Sequence, residues 1–61
     1  MPEDVTIDEQ IAEVEREIRL REVVYPRWVA APKPKLSQAQ ADKQLARMRG
    51  VLDTLKRVRG F

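Results

Sequence analysis

Apolar residues recur along the first half of the chain at the spacing of an amphipathic helix. Their intervals are four, three and four residues, at Ile7, Ile11, Val14 and Ile18. This spacing gathers them on one face, where a second helix can pack along a seam like that of a coiled coil. Arg21 takes the next seam position before Tyr25 resumes the pattern. The Arg21 stem can pack there while its charge reaches water, or the charge can pair with Glu22 or with a partner carboxylate.

Pro26 decides where this helix ends. An internal proline removes one backbone hydrogen bond and disfavours the helical conformation of the residue before it, here Tyr25. The apolar pattern nevertheless continues through Tyr25 to Trp28. We therefore predict one kinked helix over about 6–30, with a break at residue 25 as the alternative.

A second apolar stripe follows the linker 31–36, whose sequence is Ala-Pro-Lys-Pro-Lys-Leu. Two prolines at alternate positions favour an extended chain there. Beyond the linker the intervals are four, three, four and three residues, at Ala41, Leu45, Met48, Leu52 and Leu55. They predict a helix over about 37–59. Gly50 is a poor helix former, so we expect it to mark a close approach of the two helices.

Both predicted helices begin with the residues of a capping box, Thr6 with Glu9 and Ser37 with Gln40. Two helices of nearly equal length with a short linker predict an all-α antiparallel two-helix hairpin, a single domain over 1–61. Further apolar residues would lie near water in a monomer, namely Leu20, Val23, Val24, Val51 and Val58. A homodimer that forms a four-helix bundle would cover them.

The residue types present exclude most catalytic chemistry. The 61 residues include no cysteine and no histidine, which excludes thiol and imidazole catalysis and the common zinc sites. Asp42 and Asp53 are too isolated for carboxylate catalysis. We therefore expect no enzymatic activity, no cofactor and no metal. The acidic N-terminus and the lack of a long apolar run predict a cytoplasmic protein without a signal peptide or membrane span.

Charge is divided unevenly along the chain. Residues 1–32 carry eight acids against four bases, and residues 33–61 carry two acids against eight bases. The basic second helix can be interpreted as a nucleic-acid-binding surface. In an antiparallel hairpin, however, the acidic start of helix 1 lies beside the basic end of helix 2. We expect these charges to compensate each other and to specify that orientation.

Aromatic and basic residues concentrate near the predicted hairpin tip. Six of them form a candidate binding site: Arg21, Tyr25, Arg27, Trp28, Lys33 and Lys35. Aromatic rings stack on nucleobases and cations, and Arg and Lys bind phosphates or carboxylates. Trp and Arg are also frequent anchors of protein interfaces. The alternative is that Tyr25 and Trp28 complete the hydrophobic core, with the bases solvated around them.

The run Val-Tyr-Pro-Arg-Trp-Val-Ala over 24–30, followed by Leu36-Ser37-Gln38, Ala41-Asp42 and Met48, resembles short uncharacterised helical-hairpin proteins of tailed phages and prophages. The resemblance covers most of the chain, from about residue 11 to residue 55. The chain departs from that group at 32–35, where Pro-Lys-Pro-Lys replaces a short glycine-containing turn. Small phage proteins of this size commonly block a host protein or sequester a signalling nucleotide. The resemblance therefore implies a phage or prophage accessory protein.

Three functions are open at this point. The chain can be a homo-oligomer that binds and inhibits a host defence or regulatory protein, which the exposed apolar residues favour. It can instead bind or sequester a small anionic ligand or nucleotide at the hairpin tip. The third is nucleic-acid binding through the basic helix 2, with an affinity that falls steeply with salt.

Overall fold

The structure is a computed structural model that describes residues 4–60, which form two α-helices and no strand. Helix α1 spans Ile7–Ala30 and helix α2 spans Gln38–Gly60. The helices pack side by side as an antiparallel hairpin with principal extents of 44 × 23 × 18 Å. The predicted all-α hairpin is therefore confirmed. Within the described residues, neither helix is long and apolar enough to cross a bilayer.

Both helices begin where the capping boxes predict. In α1 the Glu9 amide donates to Thr6 Oγ1 and the Thr6 amide donates to Glu9 Oε1, each at 3.1 Å. In α2 the Gln40 amide donates to Ser37 Oγ and the Ser37 amide donates to Gln40 Oε1, also at 3.1 Å. These bonds satisfy amides that have no partner inside the helix. The two starts thus follow from local sequence alone.

Helix α1 continues through Pro26 without ending. The prediction of one helix is confirmed, and the alternative break at residue 25 is wrong. Pro26 is exposed, so its ring lies in solvent and its missing amide costs the helix a single hydrogen bond. The helix instead ends at Ala30, because Pro32 favours the extended conformation seen at Ala31, with φ −63° and ψ 151°.

The core of the described hairpin is small. Its nearly fully buried side chains are Ile11, Ile18, Tyr25 and Ala41. Three of them recur every seven residues on α1, and the α2 stripe from Leu45 to Leu55 packs against them while remaining half-buried. A core this small gives a chain of about this length only marginal stability, which a disulfide, a metal or a partner subunit commonly supplements.

Three ion pairs join the helices along one side of the seam. They are Asp8 with Arg59 at 3.5 Å, Glu15 with Lys56 at 3.7 Å, and Glu22 with Arg49 at 2.9 Å. Each acid comes from α1 and each base from α2, as the uneven charge of the chain predicts. Exposed pairs add little stability individually. They disfavour a parallel arrangement, which would bring the acidic end of α1 to the other end of α2.

Gly50 does not mark a close approach of the helices, and that prediction is wrong. A Cβ built at Gly50 would meet no atom within 4 Å. Gly50 precedes Val51 on the exposed side of α2, outside the apolar stripe. The Gly50 position therefore faces open space, and no helix contact explains the glycine.

Acid should destabilise the start of α1. The Thr6 amide, and then the Thr6 hydroxyl, hold the pKa of Glu9 below its ordinary value of about 4.5. A pKa lowered by folding means that the stabilisation is complete above the unfolded pKa and is lost as pH falls through the lower folded value. Thermal melting followed by circular dichroism should show a falling Tm below about pH 4.5. The Glu9→Gln variant keeps the hydrogen bond without the titration, so its Tm should fall less; an identical pH profile would contradict this role.

Candidate binding surfaces at the hairpin tip and flank

The end of α1 and the linker bring an aromatic pair and a lysine together at the hairpin tip. The Tyr25 and Trp28 rings lie with centroids 5.7 Å apart and planes tilted by 39°. The Lys35 Nζ lies 5.7 Å from the Trp28 ring centroid, within the range of a cation–π contact. Tyr25 is buried, whereas 40% of Trp28 is exposed. Tyr25 therefore belongs to the core, and Trp28 presents its ring at the surface.

Tyr25 and Arg21 form a hydrogen-bonded link between the two helices, which we term the brace. The Tyr25 hydroxyl donates to Gln44 Oε1 at 2.8 Å and accepts from Arg21 Nε at 3.2 Å. Arg21 Nη1 also donates to Glu17 Oε2 at 2.6 Å. The bonds to Glu17 and then to Tyr25 raise the pKa of Arg21. Arg21 thus pairs with Glu17, one helical turn back, and the suggested partner Glu22 is wrong because Glu22 lies on the side of α1 that faces Arg49.

The other predicted site bases remain at the surface. Arg27, Lys33 and Lys35 are exposed, and within residues 4–60 no ion pair engages them. Together with Trp28 they form what we term the tip cluster. Of the six predicted site residues, the structure thus brings four to the surface of the tip and places the other two in the brace between the helices.

The side of the seam opposite the ion pairs carries apolar side chains among polar ones. The exposed or half-buried apolar side chains are Leu20, Val24, Val51 and Val58, which we term the apolar flank. Two open depressions follow this flank. One, of about 320 Å³, is lined by Leu20, Val24, Glu17 and Arg21 and reaches the Trp28 ring. The other, of about 490 Å³, is lined by apolar and polar residues, namely Val14, Val51, Leu55, Val5, Glu9, Gln10 and Glu13.

Val23 does not belong to the apolar flank, although the sequence grouped it with the other exposed apolar residues. It lies two residues before Tyr25 and five after Ile18. At 100° per residue this position lies on the outer face of α1, turned toward the side of the ion pairs, and unlike Leu20 it lines neither flank depression. Its exposed side chain is therefore isolated on the outer face, where single apolar residues are common and require no explanation.

The basic residues of α2 are largely engaged within the hairpin. Arg49, Lys56 and Arg59 pair with acids of α1, and Arg57 pairs with Asp53 at 2.7 Å. Phosphate binding would have to displace these contacts. The predicted compensation of charge between the acidic start of α1 and the basic end of α2 is confirmed by these contacts.

No site for a metal ion is apparent within residues 4–60, where Asp and Glu side chains do not gather in threes. Comparison with protein-family models, curated proteins and solved structures finds no match for this chain. The resemblance to phage hairpin proteins therefore stays a prediction, and function has to be argued from the geometry of the two surfaces.

Removing the Tyr25 hydroxyl should weaken the hairpin without abolishing it. Tyr25→Phe keeps the buried ring but leaves Gln44 Oε1 without its donor and Arg21 Nε without its acceptor, while Arg21 keeps its bond to Glu17. The expected loss is about 1 kcal/mol in the free energy of unfolding, measured by urea denaturation. The control Gln40→Ala removes one bond of the α2 capping box while Ser37 Oγ still accepts the amide of residue 40, so its loss should be smaller. An unchanged Tyr25→Phe midpoint would contradict the brace.

Proposed function

We propose that this chain is a non-enzymatic binding protein that works as a homodimer, with two hairpins packed through their apolar flanks as a four-helix bundle. The observation that supports this most is the contrast between the two sides of the seam. Ion pairs between the helices line one side, and exposed apolar side chains lie among polar ones on the other. A flank of this kind in a chain with so small a core calls for a partner surface.

A second hairpin suits this flank in size and shape. The face is 44 Å long and about as wide as the pair of helices. A standard interface buries about 800 Å² on each partner, which a face of this length can supply. Both helices contribute to the flank, so a second copy can align two helices on two and make the antiparallel contacts of a four-helix bundle.

We propose that the tip cluster contacts the functional partner, which is an acidic surface of a host defence or regulatory protein in the host cytoplasm. Trp28 offers a rigid aromatic face, and Arg27, Lys33 and Lys35 supply positive charge not engaged by ion pairs within residues 4–60. Trp and Arg are enriched among the residues that dominate binding energy. Neither depression on the flank includes Arg27, Lys33 or Lys35, which favours a protein surface over an enclosed small ligand.

The partner can be sought by native mass spectrometry of the untagged protein purified from its own host. We expect a dimer that retains one host protein, because the tip cluster is exposed in the bundle. The variant Lys33→Glu/Lys35→Glu should lose that protein, whereas Arg19→Glu/Lys43→Glu, with the same change in charge on the outer faces, should keep it. Retention by both variants would contradict the role of the tip. A dimer that carries only a small anion would contradict the protein partner and would show that the tip binds an anionic ligand.

A further inference from the structure

The hairpin carries a charge gradient along its length. The contacts of Glu22 with Arg49 and of Tyr25 with Gln44 place residues 21–48 in the tip half. That half holds six bases and two acids. The open half, residues 4–20 and 49–60, holds six bases and seven acids. The tip half is therefore strongly positive and the open half slightly negative.

Acidic side chains of the open half reach the flank. Glu13 lies seven residues before Leu20, which places both on one side of α1. Leu20 lines one flank depression, and Glu13 lines the other together with Glu9. The open half therefore presents carboxylates beside the apolar flank, with Leu20 near the middle of the hairpin.

Two twofold arrangements can stack the flanks of two hairpins. With the axis along the hairpin, both tips lie at the same end, and α1 of each copy faces α2 of the other. That arrangement brings two positive tip halves together. When the axis runs across the hairpin, perpendicular to the helices, each tip lies over the open half of the other copy. Helix α1 then faces α1 of the partner subunit in the antiparallel direction. Leu20 then lies near Leu20 of the partner subunit, and the positive tip half of each copy lies over the acidic open half of the other.

We propose that the two hairpins stack head to tail, so that the dimer is a rod with one tip cluster at each end. This inference rests on the proposed homodimer and adds its orientation. Opposite charges then lie across the interface at both ends of the dimer, and the two positive tip halves are kept apart. The consequence is bivalence: one dimer can bridge two partner molecules about 40 Å apart, the length of the hairpin.

Electron–electron distances measured between spin labels distinguish the two arrangements. The chain has no cysteine, so a single Pro34→Cys substitution labels each tip. Head-to-tail stacking predicts a distance of about 40 Å, because the hairpin is 44 Å long. Stacking with both tips at one end predicts about 20 Å, near the width of a hairpin, and that result would overturn the orientation while leaving the dimer intact.

Val23→Cys on the outer face is the control, since a dimer of either orientation brings its labels within measurable range. No dipolar signal from either label would mean a monomer and would defeat both proposals.

Discussion

Ile18→Asp will unfold the protein. Ile18 is buried in the middle of the seam, with 7% of its surface exposed, and it lies between the equally buried Ile11 and Tyr25 on the same face of α1. A carboxylate there must lose its water without gaining a hydrogen-bond partner, which costs several kcal/mol. Small domains have only about 5–15 kcal/mol of stability in total, and this core is at the small end. We expect far-UV circular dichroism to show loss of most of the helical signal at 25 °C.

Val23→Asp is the matched control for Ile18→Asp. It places the same charge on the same helix, five residues away, on the outer face where Val23 is 56% exposed. Helicity and Tm should change little, since surface substitutions usually shift stability by less than about 0.5 kcal/mol. If Ile18→Asp kept the helicity and the melting transition of the Val23→Asp protein, the assigned seam would be wrong.

The double substitution Leu20→Asp/Val51→Asp will separate the dimer into monomers. Both residues lie on the apolar flank with nearly half of their surface exposed, so aspartate is tolerated in a free hairpin but is trapped in the interface of the bundle. Four buried carboxylates per dimer are expected to raise the dissociation constant by at least about 100-fold, which corresponds to about 2.7 kcal/mol. Sedimentation velocity over a range of protein concentrations measures this change.

The control for the flank substitutions adds the same charges elsewhere. Val23→Asp/Ala46→Asp places two carboxylates on exposed positions of the outer faces, and its dissociation constant should stay within a few-fold of the unmodified protein. Loss of the dimer should also make α1 and α2 less stable, because association contributes to the folding free energy by mass action. Equal dissociation constants for the two double variants would exclude the apolar flank as the interface.

The helices were predictable because their signals are local. Caps such as Thr6 with Glu9 involve residues three apart, and the apolar intervals identify each buried face without knowledge of the other helix. The continuation of α1 through Pro26 followed from the same pattern, since a proline on the exposed side removes one hydrogen bond and leaves the packed face intact. The cross-helix ion pairs followed from the opposite charge of the two halves of the chain.

The candidate site was predicted less completely because it depends on register between the helices. The seven-residue repeat of Ile11, Ile18 and Tyr25 selects Tyr25 for the core, whereas Trp28 three residues later reaches the surface. The bond from the Tyr25 hydroxyl to Gln44, nineteen residues away, depends on the other helix and follows from no local pattern. The pair of Glu17 with Arg21 follows from the sequence, since residues four apart on a helix face each other and adjacent residues do not, and the structure confirms it.

Sedimentation equilibrium of the untagged protein, from micromolar to millimolar concentration, tests directly whether the hairpin forms a homodimer. We expect a reversible association to a species with twice the 7.1 kDa mass of the chain, with the helical signal rising as the dimer forms. A species of 7.1 kDa that remains fully helical over the whole range would show that one hairpin is stable alone, and would contradict the dimer and the role of its apolar flank.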